Sequence, residues 1–112
     1  MGRTLTLGAD SEVVLSAQVT EDFFPLLSEQ PLVGRFFTRE ESRMALFNNA
    51  AAPISPDPVV VISHRLWQRR FGGEPGVIGR TVDVERRPMR VVGVAAKGFA
   101  VPSADVDLFM PW

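Results

Sequence analysis

The sequence predicts an α+β domain, a small mixed β-sheet with short helices packed on it, organised as a β-α-β unit followed by a β-hairpin. Three observations carry that expectation. A β-branched run, Val59-Val60-Val61-Ile62, reads as a central strand buried on both faces. Leu66, Trp67 and Phe71 then recur at helical spacing, and Gly72-Gly73 ends that helix, since glycine accepts the left-handed conformation without steric cost. Two alternating stretches, residues 80–85 and 88–94, follow and read as paired antiparallel strands.

Each remaining element has its own signal. Residues 12–20 alternate, with Val13, Leu15, Ala17 and Val19 on the expected inner face and Glu12, Ser16 and Gln18 opposite. Thr20 is placed to cap a short helix over residues 21–27, with Glu21 and Asp22 in the first turn, where the helix dipole favours them. Phe23, Phe24 and Leu27 form its apolar stripe, and Pro25 falls early enough to be tolerated. Residues 31–37 are expected to be extended, with Gly34 marking a turn or a close backbone approach. Thr38-Arg39-Glu40-Glu41 is a capping box, predicting a helix to about Phe47. Residues 48–58, with two Asn, three Pro and a triple Ala, form the longest expected loop.

Ser63 is expected to cap the helix from His64 to Phe71, with Arg65 and Arg69 sharing its outer side at i, i+4. A turn around Pro75 and Gly76 leads into the hairpin, whose apolar face is expected to combine Val82, Val84, Val92 and Val94. A last short strand covers residues 106–110. The sharpest packing expectation puts Trp67 with strands 59–62 and 91–94 in one core.

Composition narrows the chemistry. A chain of 112 residues supports one modest core, burying roughly 65% of the surface its unfolded form exposes. With no Cys, disulfides, thiolate zinc sites and cysteine nucleophiles are excluded. Net charge is −1, so no overall field holds nucleic acid, and none is expected as a partner. The longest apolar run is only Val59 to Ile62, too short to cross a bilayer, and the first twelve residues lack the apolar centre of a signal peptide. Pro111-Trp112, without a polar tail, is expected to be a cut inside a longer protein whose targeting segments lie elsewhere.

No residue cluster demands a reaction. Ser63 and His64 are sequence neighbours at a helix start and rarely point at each other as nucleophile and base must, so a small hydrolase is the weakest reading. A lone His without Cys is a poor zinc site. Asp105 and Asp107 lack the ligand spacing of a calcium loop and are expected to be solvated charges on a strand edge. Gly72-Gly73-Glu74-Pro75-Gly76 follows a helix where a phosphate loop would precede one. Arg65, Arg69 and Arg70 beside Trp67 are expected on a solvated helix face, available to acidic groups of a neighbouring domain. The expected sets of catalytic, cofactor-binding and metal-binding residues are therefore all empty. The adjacent pairs Phe23-Phe24 and Phe36-Phe37 cannot all bury from one face, so one member of each is expected at a surface. A groove between them is the rival reading, an extracytoplasmic module binding a hydrophobic peptide or lipid.

Three segments, taken in order, resemble a known family. Residues 19–42 include VGRFFTREES, similar to a "GR-x-F-T-x-E-E" passage. Residues 61–82, VISHRLWQRRFGGEPGVIGRTV, resemble "LS-x-x-LWQRRFGGDP-x-VIGRT". Residues 87–102, RPMRVVGVAAKGFAVP, resemble "GRPYTVVGV-x-P-x-GF-x-FP", followed here by Asp107-Leu108-Phe109-Met110-Pro111 where the family has an acid and "LW-x-P". Together they resemble the MacB-like periplasmic core domain of FtsX/MacB-type ABC-transporter permeases. Residues 45–57 depart from the family's short link, and Glu85-Arg86-Arg87 replaces its usual Asn-Gly or Asp-Gly hairpin tip.

The resemblance implies that residues 1–112 are part of such a domain, set between membrane helices of a larger protein, with its upstream part missing. It implies a non-catalytic role on the periplasmic or extracytoplasmic side of the bacterial cell membrane. There the domain would couple ATP-driven change to substrate or partner engagement. Implied partners are the rest of the permease and its ATPase subunit or domain, a second permease copy, or a periplasmic protein. No cofactor is implied.

Overall fold

A computed structural model describes residues 2–7, 10–19, 22–37, 59–99 and 106–111. The capping box at 38–41 with its helix, the loop 48–58, Thr20, Glu21, Asp105 and Trp112 lie outside the described residues. Among the described residues there are seven strands: β1 (Gly2–Leu7), β2 (Asp10–Val19), β3 (Val33–Gly34), β4 (Val59–Ile62), β5 (Thr81–Val84), β6 (Arg87–Val94) and β7 (Val106–Pro111). The same described residues hold helices α1 (Phe23–Leu26) and α2 (His64–Phe71), with a 3₁₀ turn at Pro75–Val77.

The sheet order is β3-β6-β4-β7-β2-β1-β5, and β5 also pairs with β6. Six strands therefore close into a ring, with β3 alongside. The ring is mixed: β2–β7 and β4–β6 run parallel, and the other pairs antiparallel. A mixed sheet with short helices agrees with the α+β expectation. Its arrangement differs from a β-α-β unit followed by a hairpin. The second hairpin strand, β6, is itself the strand lying parallel to β4, and the sheet closes on itself.

Closure explains the two apolar clusters. Leu5, Val14, Val60, Val84, Val91 and Leu108, one from each ring strand, share an inner cluster with Leu66, Trp67 and Phe71 of α2. Val19, Val59, Val61, Val92 and Phe109 form an outer cluster with Phe24 of α1 and Phe37. All four residues of β4 are buried, as a strand covered on both faces requires. Trp67 shares the inner cluster with Val60, Ile62, Val91 and Val94, so the expected core exists, but Val59, Val61 and Val92 belong to the other face.

Two bulges account for most misplaced faces. Along β4–β6 the register passes from Val60↔Val91 to Val61↔Gly93, skipping Val92. A skipped residue reverses the alternation beyond it. Val92 therefore leaves the face of Val82, Val84 and Val94 for the outer cluster. Along β2–β7 the register passes from Leu15↔Val106 to Ser16↔Leu108, skipping Asp107.

In β2 the expected faces are partly inverted. Val14 and Ser16 are buried, whereas Val13 is 73% exposed and Leu15 is also exposed; Val19, on their side, is covered only where the outer cluster begins. β1 was not expected at all, although Leu5 and Leu7 alternate with threonines. α1 is shorter than expected, and its N-cap, Asp22, makes no side-chain capping bond. Its stripe also changes, with Phe24 buried and Leu27 exposed.

Gly34 shows why its position matters. It sits at φ +75°, and a Cβ there would run into the Val92 carbonyl oxygen and Ile78 Cδ1. Its partner Gly93 would likewise drive a Cβ into the Arg35 carbonyl oxygen. The β3–β6 approach is therefore reserved for two glycines.

Candidate functional site

Charge concentrates where α2 crosses β2 and β7. Ser63, in an extended conformation, accepts a hydrogen bond from the Leu66 amide at 3.0 Å and so caps α2 as expected. Its hydroxyl donates to Asp107 Oδ1 at 2.7 Å. Arg65 reaches the same carboxylate with both arms of its fork, Nε to Oδ1 at 3.2 Å and Nη2 to Oδ2 at 3.0 Å. Arg69 adds Nη2 at 3.8 Å from Asp107 Oδ2 and Nη1 at 3.1 Å from Glu12 Oε2. Arg70 stands 3.4 Å from Glu12 Oε1 and 3.7 Å from Asp10 Oδ2.

Asp107 thus departs from its expectation. It lies on β7 between β4 and β2, far from any sheet edge, and only 4% of it is exposed. A carboxylate taken out of water needs paired, charge-assisted hydrogen bonds, and Ser63 with Arg65 supplies three. The bulge that skips Asp107 is what aims it there. Arg65 and Arg69 are exposed, as expected of a solvated helix face, and Arg70 is half-buried; the acids they meet come from this same chain. A depression of about 410 Å³ lies against this network, lined by Glu12, Val14, Leu15, Arg65, Arg69 and Asp107 among others.

The weighed chemistry resolves simply. The Ser63 hydroxyl donates its hydrogen bond to Asp107 Oδ1, and the His64 ring lies edge-on to Trp67 with centroids 5.6 Å apart. The hydroxyl hydrogen that a neighbouring base would have to take is thus engaged by Asp107. Gly72 and Gly73 take φ +63° and +69°, and the Gly73 amide bonds back to the Trp67 carbonyl, a helix stop. Among the described residues no group of three or more His, Cys, Asp or Glu is placed to hold a metal. Also among them, no helix is long and apolar enough to cross a membrane.

The phenylalanines contact one another. Phe24 stacks on Phe36 with centroids 3.8 Å apart and meets Phe37, Phe99 and Phe109. Phe24 and Phe37 are buried, while Phe23 and Phe36 are half-buried, as expected for split pairs.

A second charged place is the β5–β6 turn. Glu85 and Arg86 both adopt positive φ, +53° and +67°, as a two-residue hairpin turn with the strands' twist demands. Neither is the Gly or Asn that takes this conformation cheaply. The Glu85 amide donates to the Thr4 carbonyl at 2.9 Å, tying the turn to β1.

The family model described as MacB-like periplasmic core domain matches residues 2–112. Among solved structures, the periplasmic region of MacB from Actinobacillus actinomycetemcomitans resembles the chain with TM-score 0.73 and 21% identity, over 99% of this chain and 44% of that one. The extracellular domain of the noncanonical ABC-type transporter YknZ from Gram-positive bacteria does so with TM-score 0.69 and 16% identity, over 99% and 50%. At these identities the two likenesses speak to the fold, and the chain spans about half of either structure. No curated protein matches the chain.

Proposed function

We propose, from the premise that this chain belongs to the MacB-like periplasmic core domain family, that it is a non-catalytic coupling and docking module of an ABC-transporter-type permease. In this reading residues 1–112 are part of an extracytoplasmic domain carried between membrane helices. An ATPase subunit or domain on the other side of the membrane supplies the work. The partners are the rest of the permease, a second copy of it or a periplasmic protein.

The observation that carries this reading is the family match over nearly the whole chain. The closed sheet is compatible with it, because a coupling element must transmit displacement without deforming, and packed elements resist deformation. The network joining α2 to β2 and β7 adds cross-ties in the same sense.

Topology offers the test. Residues 1–112 contain no Cys, so Lys97→Cys, introduced into a parent protein whose cysteines elsewhere are replaced by Ser, is labelled alone. A membrane-impermeant maleimide applied to intact cells, with the outer membrane permeabilised where one exists, is expected to label it. Labelling only after lysis overturns the extracytoplasmic placement. A parent gene without bilayer-spanning segments overturns the permease reading itself.

A further inference from the structure

We draw no further inference here: the strongest candidate, the depression of about 410 Å³ where α2 crosses β2, is lined by Arg65, Arg69, Glu12 and Asp107, whose charges answer one another within the network already described, and nothing in the structure shows what would occupy it.

Discussion

The crossing of α2 over β2 and β7 and the tip of the β5–β6 hairpin handle arginine in opposite ways. At the crossing, three arginines meet Asp10, Glu12 and Asp107, so the charges balance and the carboxylate of Asp107 is buried among donors. At the tip, Arg86 and Arg87 meet no acid among the described residues, and the backbone of Glu85 and Arg86 sits where side chains are costly. Local rules are met in one region and broken in the other.

The largest way to break the comparison is to remove what seats the crossing. Trp67 is buried in the inner cluster, and its indole Nε1 donates to the Glu74 carbonyl at 2.9 Å. Trp67→Ala is expected to cost about 3–5 kcal/mol, enough to unfold a marginal domain. A melting temperature equal to that of the unaltered chain contradicts the core assignment.

Next comes the acid itself. Asp107→Ala takes a partner from Ser63 and from Arg65, whose half-exposed guanidinium regains water, so the loss is expected to be about 1–3 kcal/mol. Asp107→Asn keeps an acceptor for Ser63 and is expected to lose less. Urea titration separates the two, and equal losses mean that charge, not the Ser63 bond, holds the crossing.

The smallest effect has the opposite sign. Replacing Glu85-Arg86 by Asn-Gly relieves two costly φ values and is expected to stabilise the domain by about 0.5–1 kcal/mol. A destabilised double variant shows that the turn is not strained as its dihedral angles indicate.

Local features of this fold were legible in the sequence. β4, the Ser63 cap, α2 with its three apolar residues, the Gly72 stop and the β5–β6 hairpin all follow from neighbours within a few positions. What was not legible depends on register. A bulge leaves no local mark, and one skipped residue moved Val92 to the outer face while another turned Asp107 into the domain. The Asp107 partners lie 42 and 44 positions away, and no periodicity reports contacts of that span. β1 was missed for a different reason. Its four-residue Thr-Leu alternation carries little weight until β2 and β5 are known to flank it. The candidate site was visible only as residue types, because an arginine's sequence neighbours do not show whether an acid answers it.

The place of β7 in the ring sets the order in which this protein can be made. It is the last of the described strands to emerge during synthesis, yet it lies between β4 and β2, two strands the ribosome has long since released. Until it arrives, β2 and β4 each lack a neighbour and the ring stays open. Contacts of such long sequence separation assemble slowly. Closure of the ring therefore waits on the last of the described strands.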